Sequence, residues 1–114
     1  MKAEIILVWT TLPGQQAAVQ LARQLLEEQY VACAHLLPGG RSLYRWQGAI
    51  QDEEEWTLLL KTRQTLYARL EQRIQQLHPY EVPEILATPV VAVLPAYAAW
   101  LQEVVPEQPL SGSD

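Results

Sequence analysis

Three side chains of this sequence could bind a soft or borderline metal ion. Cys33 and His35 are two residues apart in a strand-like segment, so their side chains leave the same face of that strand. A thiolate and an imidazole are ligands that copper(I) and zinc accept. Two ligands do not close a site, so completion requires His78 or copies of these residues from neighbouring subunits. In the alternative interpretation, Cys33 is a small apolar core residue, the commoner role of a single cysteine on a buried strand.

A second group of polar side chains lies in the proline-containing segment 78–85, which reads His-Pro-Tyr-Glu-Val-Pro-Glu-Ile. The two prolines fix φ and bias the residues before them toward extended conformations, so the segment holds its polar groups stiffly. The alternative is a rigid link from a helix into a strand. In that case His78 lies at a helix C-terminus, where the helix dipole favours an imidazolium by roughly 0.3–1 kcal/mol.

The polar residues of this segment predict the border of a cleft for a small ligand. We expect Tyr80, Glu81 and Glu84 to line it, with Trp46 adding an aromatic surface and Lys61 a positive charge. The alternative role for the aromatic residues is packing against neighbouring subunits, because interfaces favour such side chains. A proline between the two glutamates precludes a regular helix, so an acid–base pair has no support. The sequence also lacks a P-loop, a glycine-rich dinucleotide turn and a recognisable activated nucleophile. It therefore favours a protein that is not an enzyme.

Composition favours a single cytoplasmic domain. The chain has 114 residues, 49% of them hydrophobic and 18% charged, with a net charge of −5 and eight Lys and Arg residues. This charge balance argues against binding to nucleic acid or to an anionic membrane surface. The longest apolar run, 90–101, contains a proline and is shorter than the roughly 20 residues that span a bilayer. A single cysteine suits a reducing compartment, and we expect no signal sequence, because residues 1–4 show neither an extended charged region nor a cleavage site.

Hydrophobic periodicity predicts the elements that position these side chains. A buried strand is expected at 5–9, followed by an amphipathic helix with Thr11 as its N-cap and Pro13 in its first turn. A second strand spans 30–37 and resumes at 41–46, because Pro-Gly-Gly between the two parts favours a bulge.

The second half of the chain repeats this strand–helix pattern. Gly48 and the acidic run 52–55 are expected to mark a reversal near a hairpin tip, and the third strand follows at 56–61. Thr62 or Thr65 is expected to cap a second helix, which Pro79 ends so that His78 lies in its last turn. The remaining predictions are a fourth strand at 85–93 with an edge position for its proline, a helix at 96–105 and a flexible tail at 106–114.

This order of elements predicts an α+β fold, a ferredoxin-like βαββαβ sandwich with an antiparallel sheet and a short C-terminal helix. The fold makes one domain of residues 1–105.

The chain also resembles a known family through six motifs in order. These are VWTT at 8–11, VACA at 31–34, LPG at 37–39, SLYRW at 42–46, LKT at 60–62 and HPYEVPEI at 78–85. Together they resemble the CutA family, also called the divalent-cation tolerance proteins. His35 stands where that family often has Asn, which bears on the metal hypothesis.

The resemblance implies a very stable homotrimer whose sheets pack around a threefold axis. It also implies an architecture similar to the PII signalling proteins, trimers that bind effectors in clefts between subunits. Copper binding is attributed to some members. Our leading hypothesis is therefore a homotrimer that takes part in divalent-metal tolerance and binds copper or another divalent cation. The alternatives are a PII-like trimer with a small-molecule effector in an intersubunit cleft, and a stable trimeric scaffold that binds a partner protein.

Overall fold

The computed structural model describes residues 4–107. Its elements, in chain order, are β1 (Ile5–Leu12), α1 (Gln15–Glu27), β2 (Cys33–Trp46), β3 (Ala49–Arg63), α2 (Tyr67–Leu77), β4 (Leu86–Pro89) and α3 (Pro95–Val104), with a 3₁₀ turn at Gln64–Leu66 before α2. None of the helices in this described part of the chain is long and apolar enough to cross a bilayer.

The four strands form one antiparallel sheet in the order β2-β3-β1-β4. The central pair joins β1 to β3 over the whole length of β1, from Ile5 opposite Arg63 to Leu12 opposite Trp56. Each helix-containing connection passes from one strand to a strand that is not its hydrogen-bonded neighbour, as a split βαβ unit requires. The ferredoxin-like α+β fold predicted from the sequence is confirmed.

The main core lies between the sheet and helices α1 and α2. Val8, Leu58 and Leu60 point from adjacent strands to this face and are fully buried. The helices bury one stripe each, through Leu25 of α1 and Ile74 of α2, because apolar residues recur in them every three or four positions. One chain therefore completes this side of the sheet by itself.

Helix α3 belongs to a second, smaller core cluster. Its Leu101, together with Val105 beyond its end, packs with Ile5, Ala32 and Leu66. The helix begins with Pro95 in its first turn, where a proline costs no hydrogen bond, and so confirms the predicted terminal helix with a shift of one residue at each end. Residues 108–114, most of the predicted tail, lie outside the described residues.

Strands β2 and β3 continue beyond the rest of the sheet as a two-stranded hairpin arm, which we define as residues 41–54. The predicted bulge lies at its root, where the register shifts between Leu37 and Gly40. Gly40 allows close packing there, because a Cβ would lie 2.9 Å from the carbonyl oxygen of Glu55. The arm turns through Gln47 and Gly48, both with positive φ, as a tight two-residue hairpin turn requires.

Several predicted boundaries are wrong. Thr11 belongs to β1, and α1 starts after Gly14 without a side-chain cap. Neither Thr62 nor Thr65 caps α2, because a 3₁₀ turn precedes that helix and its first turn has no side-chain cap. The acidic run 52–55 lies inside β3 and not at the hairpin tip, since the strand begins at Ala49.

The end of α2 and the fourth strand also differ from prediction. The helix ends at Leu77, so that His78 is extended, with ψ 139°, and lies outside the last turn. Because the helical region is disfavoured for a residue before proline, Pro79 sets this boundary one residue earlier than expected. Strand β4 covers only Leu86–Pro89 of the predicted 85–93. It pairs along β1 alone and is an edge strand, which suits its proline.

Candidate functional site

His78 is fixed by hydrogen bonds at both ring nitrogens. Its Nε2–H donates to the carbonyl oxygen of Thr11 at 2.8 Å, and its Nδ1 accepts the backbone N–H of Tyr80 at 3.1 Å. These partners require the neutral tautomer with the proton on Nε2. Burial lowers the pKa of His78 below its usual value. The hydrogen bond to Thr11 and the charge of Glu55 raise this pKa, but by less than burial lowers it. With both nitrogens in use, His78 ties the proline segment to the end of β1.

Tyr80 carries this network to the root of the hairpin arm. Its hydroxyl donates to Oε2 of Glu55 at 2.5 Å, and its ring lies 4.9 Å from the imidazole of His78. Burial and the hydrogen bond to Glu55 raise the pKa of Tyr80, so the phenol keeps its proton. Glu55 is only 6% exposed, although it belongs to the acidic run 52–55.

The proline segment and the hairpin arm enclose a cleft of about 900 Å³, which we call the arm cleft. Four of the five side chains predicted to line a ligand cleft do so: Trp46, Tyr80, Glu81 and Glu84. Lys61 does not line it, because this residue lies six positions along β3 from Glu55, roughly 20 Å away at the rise of a strand. All the residues that line it here belong to one chain, and its position between subunits stays a prediction.

Sequence reasoning missed Glu55 as a member of this cleft. The signal that could have found it is the alternation along β3, which places Glu53 and Glu55 on one face and Glu54 on the other. That alternation does not reveal burial, which comes from Tyr80, 25 residues further along the chain. Tyr44 also lines the cleft, and its hydroxyl donates to Oε1 of Glu53 at 2.8 Å.

Cys33 and His35 lie on one face of β2, as predicted, but they are in contact with other groups there. The sulfur of Cys33 lies 3.6 Å from the hydroxyl of Tyr97. Nε2 of His35 lies 3.4 Å from the ammonium nitrogen of Lys61, which also sits 5.5 Å from the centre of the Tyr97 ring. Burial and the contact with Cys33 raise the pKa of Tyr97 to about 12. Lys61 thus belongs to this group and not to the arm cleft.

One chain does not bring the three predicted metal ligands together. Cys33 pairs with Lys61 at one end of the sheet, whereas His78 binds the carbonyl of Thr11, which pairs with Thr57 four positions away along β3. Within residues 4–107, no three His, Cys, Asp or Glu side chains are grouped so that they could hold a metal ion. A metal bound by Cys33 and His35 would need ligands from outside the described chain.

The fold and this site define the class of protein. The chain is a small α+β protein of the ferredoxin-like type, with a long hairpin arm and a proline segment that together form an acidic cleft. The sequence model of one family, the CutA1 divalent ion tolerance proteins, matches residues 6–104. The chain therefore belongs to the CutA family.

Individual relatives agree with this assignment. The divalent-cation tolerance protein CutA of Thermus thermophilus is 40% identical over 88% of this chain and 95% of its own length. The protein of the same name from Pyrococcus horikoshii is 40% identical over 87% of this chain and 96% of its own. The crystal structure of CutA from Xylella fastidiosa superposes with a TM-score of 0.88, at 36% identity, over 91% of this chain and all of the other.

Proposed function

We propose that the protein acts in divalent-cation tolerance as a cytoplasmic, non-enzymatic homotrimer that binds copper or another divalent cation. One observation carries the metal-binding part: Cys33 and His35 share a face of β2, and neither is fully buried. The names of the relatives, which refer to divalent-cation tolerance, support a role in the same process. Cytoplasmic location and the absence of catalysis stay predictions of the sequence.

Exposed apolar side chains support assembly with other copies of the chain. Leu43 and Ile50 of the hairpin arm are 65% and 62% exposed, and Val91 beyond β4 is 94% exposed. An isolated subunit leaves this surface in water, where burial would contribute about 25 cal/mol per Å². A threefold assembly would cover it and would supply further Cys33 and His35 side chains to complete a metal site.

The metal site is tested by titration of the purified protein with copper(I) and with zinc. Cys33→Ser and His35→Asn should each weaken binding at least about tenfold, because each removes a ligand atom. Lys61→Gln should strengthen binding, since the ammonium 3.4 Å from Nε2 of His35 competes for the same lone pair. If the wild type and the three variants bind the metal equally, the proposed metal site is contradicted and the family assignment stays intact.

A second candidate function is the binding of a small-molecule effector, which the arm cleft favours. Its volume of about 900 Å³ is typical of ligand sites, and a buried glutamate with a tyrosine partner lines it. A thermal-shift screen against metabolites, with Trp46→Ala and Lys61→Gln proteins alongside, tests this function. A ligand of the cleft should raise the melting temperature of wild type and of the Lys61 variant but not of the Trp46 variant. A shift that survives Trp46→Ala would place the ligand elsewhere.

A further inference from the structure

We propose that the arm cleft binds a small organic cation, in which an amine or guanidinium group is attached to an apolar or aromatic body. This inference rests on the second proposed function and names the chemistry that its effector must have.

The charge of the cleft selects for a cation. Four carboxylates line it, from Glu53, Glu55, Glu81 and Glu84, and Arg41 is the only cationic side chain among the described residues that do. The guanidinium of Arg41 is already engaged, because its Nε and Nη2 donate to the two carboxylate oxygens of Asp52 at 2.8 and 3.2 Å. The cleft therefore keeps an excess of negative charge.

Glu55 is the least exposed of these four carboxylates. Only 6% of the residue's surface is exposed, so 94% of it is buried. The hydroxyl of Tyr80 donates a hydrogen bond to its Oε2. Its Oε1 is not among the buried, unpartnered oxygens of the described residues, so this oxygen is open to solvent or to a ligand in the cleft. A buried carboxylate needs an opposite charge or further hydrogen bonds to offset its lost hydration. A bound ammonium or guanidinium group would supply both to the free oxygen.

The walls of the cleft distinguish an organic cation from a metal ion. The described residues offer no group of three metal ligands, and about 900 Å³ far exceeds the space of a single ion. Tyr44 and Trp46 add aromatic surface beside the carboxylates. Aromatic rings attract organic cations through their electron-rich faces and pack against apolar groups. An amine on an aromatic or aliphatic body uses both kinds of lining.

The test is a series of three probes with one ring system and three charges. Tryptamine, tryptophol and indole-3-acetate are titrated calorimetrically into the full-length protein in its native assembly. Tryptamine should bind at least about tenfold more tightly than tryptophol, a difference of about 1.4 kcal/mol, and indole-3-acetate more weakly still.

Variants locate the binding. Glu55→Gln keeps an acceptor for Tyr80 and removes the buried charge, so it should weaken tryptamine at least about tenfold and leave tryptophol unchanged. Glu54→Gln is the matched control, because Glu54 is the next residue, has the same chemistry and does not line the cleft. If Glu55→Gln fails to fold, Glu84→Gln serves instead, since Glu84 is exposed and lines the cleft. Its expected effect is a two- to threefold loss that salt reduces, roughly as for other exposed charges.

The outcomes separate this inference from the effector proposal on which it rests. Equal binding of tryptamine and tryptophol would overturn the selection for cations while leaving a ligand cleft in place. An equal loss in the Glu54 and Glu55 variants would overturn the role of the buried carboxylate. If no probe binds because a basic side chain of a neighbouring copy fills the cleft, which a crystal structure of the assembly would show, both proposals are overturned.

Discussion

The two ends of β3 differ in how deeply their apolar side chains are buried. Near the centre of the sheet, Leu58 and Leu60 are fully buried beneath α1 and α2. In the hairpin arm, Ile50 is 62% exposed, and Leu43 on the paired strand is 65% exposed. The same strand thus begins in water and ends in a core. One chain thus completes its own core at the root of the sheet, whereas in the arm it leaves apolar side chains exposed, which the proposed trimer would cover.

The largest expected effect comes from the buried end of this comparison. Leu58→Ala should lower the free energy of unfolding by about 2–5 kcal/mol, because the fully buried site leaves a cavity that the surrounding residues cannot fill. Denaturant unfolding, followed by circular dichroism at two protein concentrations, measures this loss. The loss should be the same at both concentrations, since the core lies within one chain.

Leu43→Ala is the matched substitution at the exposed end. In an isolated chain it should change the free energy of unfolding little, because a surface side chain that is 65% exposed makes few contacts. If other copies bury Leu43, the variant should be less stable than wild type by an amount that depends on protein concentration. A loss as large as that of Leu58→Ala and independent of concentration would contradict the proposed difference between the two regions.

The next prediction compares two buried threonines in the part of the sheet whose core one chain completes by itself. Both Thr62 and Thr10 are fully buried, but only Thr62 has a partner, since its hydroxyl donates to the carbonyl of Tyr30 at 2.5 Å. The Oγ1 of Thr10 has no hydrogen-bond partner among the described residues. Thr62→Val should therefore lower the free energy of unfolding by about 1–2 kcal/mol, and Thr10→Val should leave it unchanged or raise it by about 1 kcal/mol. Chemical denaturation of the two variants checks this, and the opposite order of stabilities would show that the hydroxyl of Thr10 is satisfied.

The smallest expected effect is a pH dependence at the junction of the two regions, where His78 joins β1 to the proline segment. Burial lowers the pKa of His78 in the folded state, so the unfolded chain binds the proton more readily. The contribution of this pKa difference to the free energy of unfolding is fully present above about pH 6.5. It is lost as the pH falls from there toward the pKa of His78 in the folded state. Denaturation at about pH 7.5 and about pH 5 should show a smaller decrease for His78→Gln than for wild type.

Much of the fold could be predicted from the sequence because its signals are local. The bulge at Pro38-Gly39-Gly40 follows from residue types that disrupt a strand, and the buried stripe of α2 follows from helical periodicity. The boundaries were harder. Gly48 was predicted near the hairpin tip and lies in it, but the acidic run 52–55 lies in β3, because cross-strand pairing with β2 holds it in a strand.

The candidate site was predictable only in part because it depends on contacts between distant segments. The stiff proline segment drew attention to Tyr80, Glu81 and Glu84, which line one cleft in the structure, and their role in ligand binding stays a prediction. No local pattern shows that both nitrogens of His78 are used, which depends on a carbonyl 67 residues away. Nor does a local pattern separate Lys61 from the cleft, because its contact with His35 follows from strand register.

The central claim is that the exposed arm is completed by other copies of the chain. Sedimentation equilibrium of the full-length protein over a range of concentrations tests this most directly. The account predicts the mass of a trimer, three times the 12.9 kDa of one chain, and a shift toward smaller species when Ile50 is replaced by Asp. A single-chain mass at every concentration would contradict the claim, and so would a trimer that Ile50→Asp and Leu43→Asp leave unchanged.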